Sequence, residues 1–413
     1  MFRSSWSRMT LACALAWAGL GVVRAASDEA KGTADAPAAG TPAPLSKDAV
    51  APAEAGALPS PRPRTEPAPY PHKSVWRRHY GTGARSYWLF EPAEPKPEKA
   101  PVVVFHHGWM ATNPGIYGAW IEHLARSGKV VIAPRYQADW STPPAEFLAN
   151  AIDAVRDALD VLETAPGHVR PDRTRFALVG HSAGGNLSVL MAAVAAENRL
   201  PVAKAVVAVM PGEVQFLPGP SLAKLAPSTL LAVVAAEHDW VVGDGRARQI
   251  FAEATSIPAD RKCFVLYRTD RHGSPPVVAD HIAATAALVE YDTGEGPLRT
   301  FQMAKAQTNA LDKLGLWRLA DLTIAAGFAG LSLDAATCRG ELVRDLGTWS
   351  DGRPILQPVV GGDLGAIPRV VLPNGLRVVN RTAFLPPPPP AEPAAAPKGR
   401  PDVEVRRVST VVP

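Results

Sequence analysis

Cysteine is scarce in this sequence, with three residues in 413 and no Cys-x-x-Cys pair. That excludes a disulfide-framed scaffold and gives no support to a cysteine-based zinc or redox centre. Charge of one sign is also lacking, since 43 Lys and Arg stand against 39 Asp and Glu. The middle of the chain holds no basic cluster, so a nucleic-acid partner, which needs a clustered basic face, is not expected. Long apolar runs are missing apart from Thr10–Val23, and that one is shorter than the roughly 20 residues that span a bilayer. Proline, by contrast, is abundant at 42 residues and concentrated at the two ends, so a packed core is to be sought between them.

The apolar run near the N-terminus has the form of an export signal. Arg3 and Arg8 precede it, and Val23-Arg24-Ala25 places small residues where a signal peptidase reads. The pattern predicts a signal peptide over residues 1–25 and a periplasmic or secreted mature protein with no transmembrane segment. Loss of Arg3, Arg8 and Arg24 takes the formal charge from +4 to +1. Cys263 and Cys338 remain, in a compartment where pairing is allowed; geometry decides whether they pair.

Residues 26–71 are rich in Ala, Pro, Gly and Thr and poor in large apolar side chains, so a disordered tether is expected there. The same holds for the proline-led tail over 385–413. Between them, apolar runs of strand length alternate with segments of helical period. Strands are predicted at Arg85–Phe90, Pro101–Phe105, Val130–Ala133, Arg175–Val179, Ala203–Val209, Leu230–Ala235 and Lys262–Tyr267. Helices are predicted at Ile116–Arg126, Pro144–Thr164, Gly184–Glu197 and Gly245–Thr255. Alternation of this kind means β-α-β units around a mostly parallel sheet, a doubly wound α/β domain over 75–295. Residues 296–384 read as a C-terminal addition packed on it, helical over 301–330 and with a hairpin signal at Asn374-Gly375.

The chemistry centres on Gly180-His181-Ser182-Ala183-Gly184. A lone Gly-x-Ser-x-Gly is a weak signal, but this one follows the apolar strand Phe176–Val179 and opens a helix. A tight strand-to-helix turn needs small residues on both sides of the serine and aims a helix N-terminus at its hydroxyl. Ser182 is therefore the candidate nucleophile. A serine hydroxyl attacks well only when an imidazole takes its proton and an acid holds that imidazole in one tautomer. Asp239, after the run LLAVVAA, and His272, after CFVLY, both fall at the C-terminal edge of the sheet, where open α/β sheets place ligands. Glu237, Asp244 and Asp270 are rival acids. His238, which adjoins the acid, and His281, read as a surface residue of a helix, are rival bases. The loop His106-His107-Gly108-Trp109 after the PVVVF strand offers an oxyanion donor in the backbone of Trp109, with Met110 as the alternative, to pair with Ala183. His106 and His107 have no partners at metal-ligand spacing, and neither metal nor cofactor is expected.

The segments HHGW, GHSAGG, EHDW and RHGS, each after its strand, resemble the α/β-hydrolase superfamily across about 220 residues. The plain HGW loop and the short stretch between Met210 and Leu230 are similar to the chlorophyllase, dienelactone-hydrolase and polyester-hydrolase branches. The resemblance implies cofactor-free ester hydrolysis through an acyl-enzyme, with Ser182 as nucleophile, Asp239 as acid and His272 as base. The region after residue 296, including Trp349-Ser350-Asp351-Gly352, is a departure from those branches. The expected protein is thus an exported serine ester hydrolase with a small-molecule or polymeric ester as partner and an open or weakly covered site walled by Trp109, Phe216 and Trp240. A peptidase or acyltransferase on the same triad, and a non-catalytic envelope binding protein, are the alternatives.

Overall fold

The computed structural model describes residues 58–64, 67–213, 217, 219–333 and 340–372. The expected signal peptide, most of the tether, the Asn374-Gly375 hairpin and the proline-rich tail lie outside these residues.

Nine strands form one mixed sheet. In chain order the described strands are β1 (Pro61–Arg62), β2 (Ser74–Tyr80), β3 (Tyr87–Ala93), β4 (Lys99–His106), β5 (Val130–Pro134), β6 (Arg170–His181), β7 (Ala205–Val209), β8 (Leu230–Ala236), β9 (Lys262–Tyr267), β10 (Thr348–Trp349) and β11 (Val359–Gly361). The sheet order is β11-β9-β8-β7-β6-β4-β5-β3-β2. The strands β5, β4, β6, β7, β8 and β9 run parallel to one another, while β3 with β2 closes one edge antiparallel and β11 closes the other antiparallel.

The helices are α1 (Gly118–Arg126), α2 (Phe147–Thr164), α3 (Ala183–Ala193), α4 (Gly245–Glu253), α5 (Arg299–Lys305), α6 (Trp317–Phe328), which continues a π-helical turn at Leu311–Leu316, and the short α7 (Glu341–Arg344). They divide between the two faces of the sheet. Side chains alternate along a strand, so Val102 and Val104 enter the layer under α2, α3 and α4, while Val103 and Phe105 enter the layer under α1 and α6. Because both faces are covered, the central strands read as unbroken apolar runs rather than as an apolar–polar alternation. This is why PVVVF, AVVAV and LLAVVAA stand out in the sequence, and the architecture is the doubly wound α/β fold expected from them.

Two features depart from expectation. The end of the segment read as a tether is paired: Pro61 and Arg62 align with Trp349 and Thr348 as a separate two-stranded ribbon. The helical stretch after residue 296 is broken into α5, the π-helical turn and α6, with α6 lying on β7 and β8. Cys263, buried in β9, is disulfide-bonded; Cys338 falls outside the described residues.

Asp270 fastens these outer segments to the sheet. Its carboxylate accepts from the amides of His272 (3.0 Å) and Leu356 (2.9 Å) and from the indole Nε1 of Trp349 (3.0 Å). Burial alone would raise its pKa, but these donors hold it below the usual carboxylate value. Gly273 is pressed so close to Pro59 and Trp349 that a Cβ there would lie 2.0 Å from the Pro59 carbonyl oxygen. Hydrogen bonds to a charged acceptor contribute about 1.5–3 kcal/mol each, and their loss also strands buried donors. Asp270→Ala is therefore expected to lower unfolding stability by about 2–4 kcal/mol in urea denaturation. A folded-state pKa below the unfolded one gives stability present above the unfolded pKa. That stability is lost as pH falls through the folded pKa, so the variant and the wild type should converge in acid. An unchanged midpoint at neutral pH would show that the clasp contributes nothing.

Candidate active site

β6 ends at His181 and α3 begins at Ala183, so the whole reversal falls on Ser182. Its backbone sits at φ 57°, ψ −125°, a conformation that L-residues rarely adopt and that costs about 1–3 kcal/mol. Three hydrogen bonds hold it there. The Ser182 amide donates to the Val209 carbonyl (3.0 Å), and the Ser182 carbonyl accepts from Gly212 (3.0 Å) and Asn186 (3.2 Å). The turn is possible only because its flanks lack side chains. A Cβ on Gly180 would lie 2.2 Å from the Gly184 oxygen, and one on Gly184 would lie 2.2 Å from the carbonyl oxygens of both His106 and His107. The first helical turn of α3 thus touches the backbone at the end of β4, and the serine is brought against the HGW loop.

Asp239 sits just past β8 and is fully buried. One carboxylate oxygen accepts from the amides of Val241 (3.0 Å) and Val242 (2.9 Å), which fixes its rotamer. The other lies 2.8 Å from Nδ1 of His281, whose Nε2 is 3.0 Å from Ser182 Oγ. A carboxylate only accepts, so Nδ1 carries the proton and Nε2 is left to accept from the serine hydroxyl. Ser182 and His281 are 8% and 2% exposed, so the contact between them is buried.

The imidazole in this relay is not His272. That residue lies in the clasp, with Nε2 2.6 Å from Asp351 and Nδ1 3.0 Å from Arg353 Nη1, and its candidacy as base is corrected. The reason is the path of the loop after β9. The chain runs outward to Asp270–His272, turns back through an antiparallel bridge of Asp270 with Val277, and then runs parallel to the segment after β8, pairing Asp280 with His238. This return lays His281 over Asp239. The rival groups are committed elsewhere: Glu237 accepts from the Thr269 amide (2.8 Å), Asp244 pairs with Arg248, Asp270 fastens the clasp, and His238 Nδ1 lies 2.6 Å from Thr269 Oγ1.

A signal for His281 was present in the sequence. The stretch Ala279–Ala287 has no charged face such as a surface helix shows, and Ala279, Ala283, Ala284 and Ala286 are all buried. Asp280 caps a short 3-10 turn, accepting from the Ile282 amide at 3.1 Å, and the turn holds His281 at its start.

The loop after β4 lies against Ser182, for a Cβ on Gly108 would be 3.3 Å from Ser182 Cβ. The Gly108 amide donates to Tyr117 Oη (2.9 Å), and the Met110 amide donates to Gln137 Oε1 (2.9 Å). Both neighbours of Trp109 are thus occupied, and Met110, the alternative oxyanion donor, is unavailable for that role. Tyr117 Oη is also 2.9 Å from His181 Nδ1, which ties the loop to the residue before the serine. Burial pushes the pKa of His181 well below its ordinary value and brings those of His106 and His107 down to about 3 and about 4, so these imidazoles are neutral. His106 Nδ1 lies 2.9 Å from Ser188 Oγ and the His107 ring stacks on Tyr136, which makes them parts of the packing.

Of the expected walls, Trp109 packs beside Phe147, Trp240 stands 41% exposed near His281, and Phe216 lies outside the described residues. A cavity beside His281 is lined by Trp240 and also by Phe301 and Lys305 of α5, which had not been assigned to the site. Only the tertiary fold brings α5 there.

Gly184→Ala is expected to destabilise the protein by at least about 3 kcal/mol, because neither carbonyl at 2.2 Å can retreat without disturbing β4. Urea unfolding or soluble yield reads this, and an alanine variant as stable as the parent would contradict the close approach.

The model of the chlorophyllase family matches residues 81–227, a span that contains the HGW loop and the serine turn. No curated protein gives a significant match. Chlorophyllases are a family of the α/β-hydrolase superfamily and imply ester hydrolysis in general. The chain has the α/β-hydrolase fold and resembles the chlorophyllase family over the segment that carries its serine turn.

Proposed function

We propose that the protein is an exported serine carboxylic ester hydrolase with Ser182 as nucleophile, His281 as general base and acid, and Asp239 as the group that orients the imidazole. The observation that carries this reading is the unbroken relay from Asp239 through His281 to Ser182 Oγ, with steps of 2.8 and 3.0 Å. Ser182 Oγ attacks the ester carbonyl while His281 Nε2 takes its proton. The tetrahedral oxyanion forms beside the start of α3 and the HGW loop, within reach of the amides of Ala183 and Trp109. His281 then returns the proton to the leaving alcohol, giving an acyl-enzyme. Water repeats the sequence, with His281 again first base and then acid.

The environment supports this division of labour. Asp239 is fully buried and anchored by two backbone amides, so it stays in place while the imidazolium beside it appears and disappears. Two backbone donors at the oxyanion are worth about 2.7–4 kcal/mol each in comparable sites. The match to a family of ester hydrolases supports the same chemistry, and the N-terminal signal pattern supports export.

Intact-mass analysis after fluorophosphonate treatment should show one adduct on the wild type and none on Ser182→Ala. His281→Ala is expected to lower kcat on a soluble ester by about 10³-fold or more, whereas His272→Ala should retain kcat within about twofold. Loss of turnover in the His272 variant with retention in the His281 variant would reverse the assignment. Rates on a sparingly soluble ester should also show no jump as its concentration passes the solubility limit and a lipid–water interface forms.

A further inference from the structure

The cavity of about 210 Å³ beside His281 has aromatic and aliphatic walls in Trp240, Phe301, Val241 and Ile282. We propose that it is the leaving-group subsite of the ester hydrolase and that it selects esters of compact aromatic alcohols, with Phe301 and Trp240 as specificity-determining residues. This rests on the serine-hydrolase reading above.

Three observations support the assignment. First, His281, the residue that protonates the departing oxygen in the reading above, is among those that line the cavity. An alcohol released past this residue would place its substituent in that space. Second, the walls suit a flat apolar group. Trp240 keeps 41% of its surface exposed beside three buried residues, Ser182, His281 and Asp239, so it has a face to offer a ligand. The charged groups of the wall, Asp280 and Lys305, are of opposite sign, and His238 is engaged with Thr269. A ligand charge of either sign would meet one partner and one repeller, which leaves the apolar surfaces to decide. Third, the volume lies below the roughly 300–1,000 Å³ of pockets that enclose drug-sized ligands. A ring of benzyl size would fill that space, whereas an extended alkyl chain would have to run out of it into solvent.

Part of the wall comes from outside the hydrolase domain: Phe301 and Lys305 belong to α5 in the C-terminal addition, beyond residues 81–227 that the chlorophyllase model matches. The addition thus completes the subsite that determines which alcohol is released.

The test uses the full-length protein with acetate esters of methanol, benzyl alcohol and dodecanol, so that the acyl group is constant. Wild type should show the highest kcat/KM on benzyl acetate, about tenfold or more above methyl acetate and above dodecyl acetate. Phe301→Ala and Trp240→Ala should each lower the benzyl-to-methyl ratio about tenfold, in line with the discrimination that apolar pockets provide. An unchanged ratio in both variants, with thermal unfolding showing them folded, would overturn the proposal. So would a wild-type preference for dodecyl acetate. Should the variants not fold, competitive inhibition of the wild type by benzyl alcohol but not by dodecanol at equal concentration supports the subsite, and the reverse order rejects it. If Ser182 takes the fluorophosphonate but no alcohol is preferred, this inference fails and the esterase reading stands. If Ser182 is not labelled and no ester is cleaved, both fail.

Discussion

The close approach of α3 to the ends of β4 and β7 is the constraint on which the site depends. Gly180 and Gly184 allow backbones to touch where any side chain would overlap a carbonyl oxygen. Contact at that distance forces the chain to reverse within one residue, and that residue is Ser182 at positive φ. The strain of about 1–3 kcal/mol is offset by hydrogen bonds to Val209, Gly212 and Asn186. The same approach brings the HGW loop beside the serine, so Ser182 and that loop are set by one packing event.

Around that point the protein spends buried polar groups on orientation. Tyr117 and Gln137 each take an amide of the HGW loop, and the amides of Val241 and Val242 hold Asp239. Each of these contacts acts on a backbone segment rather than on the reacting atoms. Together they keep the loop after β4, the turn after β6 and the loop after β8 at fixed separations, which is what a proton relay of two hydrogen bonds requires.

The outer segments act on the site from a distance. Asp270, Trp349 and His272 join the loop after β9 to β1 and β10, so the stretch from Pro59 and the stretch from Thr348 are fastened to the same loop that returns to carry His281. The RHGS motif is therefore architectural: His272 meets Asp351 and Arg353 in the clasp, nine residues before the histidine that meets the serine.

The sequence by itself determined the parallel sheet, the serine turn and the position of Asp239 at the end of its strand. Central strands buried on both faces must be continuously apolar, and a turn with no room for Cβ atoms must be glycine on both sides, so both leave local marks. Asp239 follows its strand directly and its place is fixed by that strand's end. The histidine that meets Asp239 and Ser182, and the lining of the cavity beside it, were decided by tertiary structure. A histidine placed after β9 can reach Asp239 only through the course of the connecting loop, and that course is set by long-range pairing of Asp270 with Val277 and of Asp280 with His238. Phe301 reaches the same site from α5, and no local pattern in the chain encodes that meeting because it depends on how a late helix packs against a loop sixty residues earlier.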